Sequence, residues 1–209
     1  MTSLSEINRR FNEQLRRQAS GILPAGHIYR LGRPGGILQS AGIPDLPIEM
    51  ASARLLHKSN QENHPFGLSE VENLPQAIQN PLAVFRSATH IGSNVILTEL
   101  KQGDKNFVVA IQTNRQEGKV LVNSVRSLHP RHTTNIVYWI NEGLMDYAHK
   151  EKLQRWLQEK KEPRNFLNSS IPADVKKSID SAAMIVENFN NSEIDELNPQ
   201  IKRKHGWKL

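Results

Sequence analysis

The 209-residue chain contains no cysteine, which excludes disulfides and thiolate metal sites. Long apolar runs are missing as well, so nothing in the sequence is built to span a membrane. The opening residues, MTSLSEINRRFNEQLRRQ, lack the apolar centre of a secretory signal. The default expectation is a cytoplasmic protein, although delivery by another machine would leave no readable mark. An excess of acid is absent too. Lysine and arginine number 27 against 21 aspartates and glutamates, giving +6. That balance favours an anionic partner such as nucleic acid. A hydrophobic share of 37% predicts a real but modest core with polar flanks.

Several catalytic signatures are also missing. There is no Gly-x-Ser-x-Gly elbow. The Gly32–Gly36 stretch, GRPGG, has no strand before it and no Gly-Lys-Ser or Gly-Lys-Thr after it, which excludes a nucleotide-binding loop. Glu49, Glu99, Asp104 and Glu142 show no pairing suited to glycosidase chemistry. His129 and His132 lie three apart, with His57 and His64 upstream. Cationic neighbours such as Lys58 and Arg131 oppose a metal cation, so neither a metal nor another cofactor is expected.

What is present reads as α+β. Ser3 followed by Glu6 is a capping box, and Leu4, Ile7, Phe11 and Leu15 recur at helical spacing. Residues 21–47 are dense in glycine and proline and read as turns carrying short extended pieces, and Pro47–Met50 looks extended. A short helix is expected over ARLLHKSNQ, then the loop NHPF, then a second short turn opened by Pro75. Four strands follow: LAVFRSA, one around Val95–Leu100, NFVVAIQTN, and Lys119–Ser127. The links KQGDK and RQEG are too short for parallel crossovers, so a mostly antiparallel sheet of about four strands is expected. A helix from Thr133 to Tyr147 would cover one face, and a charged helix from Lys150 to Lys161 continues it. The predicted organisation is an amphipathic helix (1–21), one α+β domain (22–160), and a C-terminal helix with a flexible tail (161–209). In the last part Val175, Ile179, Ala182, Val186 and Phe189 form an apolar stripe.

The chemistry centres on the last predicted strand, which leaves its apolar register at Asn123 and Ser124 and enters Arg126, Ser127, His129, Arg131 and His132. Period two puts Ser124 and Arg126 on one face and Asn123, Val125 and Ser127 on the other. Arginine suits bidentate phosphate contacts. Metal-free RNA cleavage needs a base for the ribose 2′-hydroxyl, an acid for the leaving oxygen and a cation for the phosphorane-like state. His64, fixed before Pro65 in a polar loop, is the candidate base or acid, because histidine titrates near neutrality. It could equally be a loop histidine that pins the chain before Phe66. Trp139 and Tyr138 could stack bases, although aromatics at helical spacing more often line a core.

The ordered segments AGIPDLPIEM, LLHKSNQENHPF, ENLPQAIQNPLAVFRS, NFVVAIQTN, VNSVRSLHP and YWINEGLMDY resemble the C-terminal domain of phage MuF-type minor head proteins. That group is regarded as part of the barnase, EndoU, colicin and RelE-like assemblage of metal-independent ribonucleases. The resemblance spans roughly Ile22 to Tyr147. It implies helices before a small antiparallel sheet, and a ribonuclease toxin or phage effector. It also implies catalytic roles for His64, Arg126 and Ser124, and RNA contacts from Lys58, Asn123, Arg131 and Trp139. His129 stands where the family carries phenylalanine or tyrosine. The partners implied are RNA, and an immunity or phage structural protein. The alternative is a non-catalytic accessory module that binds nucleic acid or protein. The sequence leaves the oligomeric state open.

Overall fold

The computed structural model describes residues 2–62 and 65–160. The expected C-terminal helix over 172–189 and the tail after it lie outside the described residues.

Helix α1 (Leu4–Ala19) opens as its sequence predicts, with the Glu6 amide donating to Ser3 Oγ at 3.2 Å and Phe11 and Leu15 buried. The chain then forms β1 (Ile28–Arg30), α2 (Gly36–Ser40), β2 (Ile48–Ala51) and α3 (Ser52–Ser59). A 3-10 turn (Leu68–Val71) and α4 (Leu74–Gln79) lead into β3 (Ala83–Arg86), β4 (Ser93–Gln102), β5 (Lys105–Glu117) and β6 (Val120–Arg131). Helix α5 (Thr133–Asn141), β7 (Met145–Ala148) and α6 (Lys150–Glu159) complete it.

The sheet has seven strands in the order β1-β2-β6-β5-β4-β3-β7, not about four. All pairings are antiparallel except β2 with β6, which run parallel. The three strands beyond the expected four have three or four residues each, too few to show a period. One of them, β7, falls inside the expected Thr133–Tyr147 helix. The helix instead ends at Asn141, and Gly143 takes a left-handed φ of 66° that turns the chain back as a strand. The basic segment after Ser127 also differs from expectation, because β6 continues through it to Arg131.

Two cores flank the sheet. On the first face, Ile48, Met50, Val84, Ile96, Phe107, Val109, Ile111, Val125 and Leu128 pack with Phe11, Leu15, Leu38, Leu55, Leu74 and Ile78 from helices α1 to α4. On the second face, Ala83, Phe85, Leu97 and Val108 pack with Ile136, Ile140, Leu153 and Trp156 of α5 and α6. Among the described residues the strands of the second core are β7, β3, β4 and the first part of β5, and none of its buried residues comes from β6, β2 or β1.

Candidate nucleic-acid interface

Strand β6 makes its second face polar through an irregularity in its pairing. Ile111 faces Val125, yet Ala110 faces Ser127, so Arg126 is an extra residue in a β-bulge. Packing requires it. Val125 and Leu128 both lie in the first core, and a spacing of three would otherwise put them on opposite faces. The bulge therefore overturns the simple alternation read from the sequence. Ser127 opposes Ala110, and His129 opposes the second-core residue Val108. Ser124, Ser127, His129 and Arg131 thus share the second face, while Asn123, Val125, Leu128 and Pro130 take the first. A second irregularity, between Gln112 and Arg115 on β5, contains Asn114 at φ 51°.

Three arginines gather at the bulge. Strand β2 pairs with β6 only at residues 123 and 124, and α3 then runs beside the vacated edge. There the Arg54 guanidinium donates to the Arg126 carbonyl at 3.2 Å. Arg115, across on β5, donates to Gln112 Oε1 at 3.2 Å and pairs with Glu117. Partial burial pulls the Arg126 guanidinium below its ordinary pKa, the charges of Arg54 and Arg115 pull it further, and Glu117 opposes them. Lys58 lies one turn beyond Arg54 on α3, with Nζ 3.4 Å from Gln61 Oε1. Ser124 sits between Glu49 of β2 and Gln112 of β5.

The far end of β6 holds a different group. Ser127 Oγ is 2.9 Å from His129 Nδ1. The Arg131 guanidinium lies 5.8 Å from the ring centre of Trp139, within cation–π range, and its Nε is buried with no hydrogen-bond partner among the described residues. Trp139 in turn meets Phe85 edge-on at 5.5 Å.

The structure therefore places Ser124 and Arg126 two residues apart on β6 beside Arg54, with Lys58 one turn further along α3, and Arg131 with Trp139 in another region. Five residues of strand separate the two arginines, about 15 Å at the usual rise, too far to grip one phosphate together. Asn123 is fully buried on the first face, and its amide donates to the carbonyls of Pro44 at 2.8 Å and Leu46 at 3.0 Å. His64 lies outside the described residues. The residues after it are anchored: Gln102 Nε2 donates to the Pro65 carbonyl at 2.8 Å, and the Phe66 ring meets Phe107 edge-on at 5.1 Å. Arg54 and Arg115 escaped the sequence reading. The four-residue spacing of Arg54 and Lys58 was the available signal for the first; nothing local marks the second. Among the described residues, no group of three or more histidine, aspartate or glutamate side chains could hold a metal ion.

Residues 55–155 match the family model of the phage MuF C-terminal domain. This part of the chain belongs to that family. No curated protein and no solved structure matches the chain. The MuF-type segment runs from within α3 through most of α6. Lys58, Ser124, Arg126, Arg131 and Trp139 all fall inside it, with Arg54 one residue before its start. Strands β1 and β2, which extend the sheet beyond β6, precede it. Residues 55–155 are accordingly a phage-associated module. No described helix is long and apolar enough to cross a membrane.

Proposed function

We propose that this MuF-type module binds RNA along the arginine-bearing strip of β6 and cleaves it without a metal ion, by attack of a ribose 2′-hydroxyl on the adjacent phosphate. One observation carries the reading. Arg54, Arg115 and Arg126 converge at the β6 bulge, and among the described residues Glu117 is the one carboxylate acting on Arg126. Cations held together against their own repulsion are relieved by a bound anion, and two guanidinium planes suit a phosphate. Arg126 and Lys58 would hold the phosphate, Ser124 would position the sugar, and His64 would exchange a proton. Arg131 and Trp139, further along the strip, would meet the neighbouring nucleotide.

The test is incubation of purified protein with total RNA and tRNA, alongside His64→Ala. Wild type should shorten both substrates, and His64→Ala should leave them intact while keeping the wild-type circular dichroism. Intact RNA at high protein dose, together with unslowed growth on induction in a bacterial host, would overturn the cleavage reading.

The second reading is a module that binds nucleic acid or a phage structural protein without turnover. Salt-dependent RNA binding with no cleavage would favour the nucleic-acid form. Assembly with a head protein and indifference to RNA would favour the structural one.

A further inference from the structure

Strand β6 ends on a row of residues that runs across the sheet. Arg131 is in register with Asn106 of β5, and Asn106 is in register with Lys101 of β4. Residues directly opposite on neighbouring strands share a face. Lys101 therefore lies on the second face with Arg131, about 10 Å away across two strand spacings. Asn106 between them is buried, and both ends of its amide are occupied. Its Nδ2 donates to the Thr98 carbonyl at 2.9 Å, and its Oδ1 accepts from Trp156 Nε1 of α6 at 2.7 Å. That bond stands α6 over the row, and a cavity of about 200 Å³ opens between the helix and β4.

The lining carries three cations, Lys101, Lys152 and Arg155, against two carboxylates, Glu99 and Glu159. Each carboxylate already has a lysine. Glu99 Oε2 accepts from Lys152 Nζ at 2.9 Å, and Glu159 lies 3.8 Å from Lys101. Arg155 is left over: it is exposed, and among the described residues it has no ion-pair partner.

We propose that this cavity is a further phosphate subsite, in which Arg155 takes a phosphate of the RNA strand after it passes Arg131. The proposal rests on the RNA reading above and carries the bound strand beyond the end of β6 on to α6. A guanidinium forks on to two phosphate oxygens at once. One phosphodiester neutralises the single positive charge that the lining holds in excess. Lys101 adds a second contact, because its long, solvent-exposed pair with Glu159 is weak in water and yields to an anion. Trp139 beside Arg131 and the cavity beside α6 then mark successive stations of one strand crossing the second face.

The test titrates a fluorescent single-stranded RNA with wild type, Arg155→Ala, Arg155→Lys and Arg10→Ala over a range of salt. Photo-cross-links from a thiouridine-labelled copy of the same RNA are mapped on wild type. One phosphate contact contributes about 0.7 to the slope of log affinity against log salt, equivalent to about fivefold in affinity at about 0.1 M salt. Arg155→Ala should lose that slope and that affinity, and Arg155→Lys, which keeps the charge, should recover most of both. Arg10→Ala, on the exposed side of α1, removes the same charge and should change neither. Cross-links should fall on α6 as well as β6, and urea midpoints separate these effects from unfolding. The subsite alone would be overturned, with the RNA reading left standing, by three results in a wild type that binds RNA: an Arg155→Ala of unchanged affinity and slope, an Arg10→Ala that loses as much, or cross-links confined to β6. A wild type that fails to bind RNA at low salt would overturn both.

Discussion

Asn123 sits where the sheet centre meets the proline-rich turn at residues 44–47. Its backbone amide donates to the Pro47 carbonyl at 2.8 Å while its side-chain amide holds two further carbonyls of that turn. Asn123→Ala would leave those two acceptors buried without a donor. The expected cost is about 2–3 kcal/mol, from one lost hydrogen bond plus the desolvation of the stranded carbonyls, read as a lower urea midpoint. At this scale sequence carries residue type well and environment poorly. Arg126 and Lys58 announce cationic chemistry by type and position. An asparagine suits a phosphate contact as readily as a buried turn, and only the packing of the turn separates the two. Arg115 reaches the cluster across a strand pairing, which no local spacing encodes.

Elements of ten or more residues were legible because their periods are long enough to count: α1, β4, β5, β6 and α6 all lie where the apolar pattern puts them. β1 and β7 were not, and β2 showed only as an extended stretch, since three or four residues held by neighbouring strands need no pattern of their own. The bulge was hidden for a related reason: one extra residue changes the face of everything after it, yet leaves composition untouched. The end of α5 was ambiguous at Gly143, where a stop and a bend look alike in sequence. Its φ of 66° decides for a stop. Nothing lies within 4 Å of a Cβ built there, so Gly143→Ala meets backbone strain alone. That strain should cost about 1–2 kcal/mol, measured by urea unfolding, and a neutral substitution would show that the turn does not depend on the left-handed geometry.

Across the whole molecule, α1 is tied to the sheet through Tyr29, whose hydroxyl donates to Gln18 Oε1 and whose ring packs 5.1 Å from Phe11. Burial pushes the Tyr29 pKa up to about 12 and raises Tyr147 as well. A tyrosine with a raised folded-state pKa stabilises fully below its unfolded value near 10, and loses that contribution as pH rises toward 12. Thermal midpoints should therefore fall between pH 10 and 12, and Tyr29→Phe should flatten the decline. At neutral pH these two phenols stay uncharged, and the proposed RNA site is the arginine-bearing strip of β6. The most direct measurement is titration of a fluorescent single-stranded RNA with wild type and Arg126→Ala/Arg131→Ala over a range of salt. Each phosphate contact contributes about 0.7 to the slope of log affinity against log salt. The double variant should keep its fold, bind more weakly, and lose about 1.4 of that slope. Wild type that fails to bind RNA at low salt, or a double variant with the same affinity and slope as wild type, would contradict an RNA site on β6.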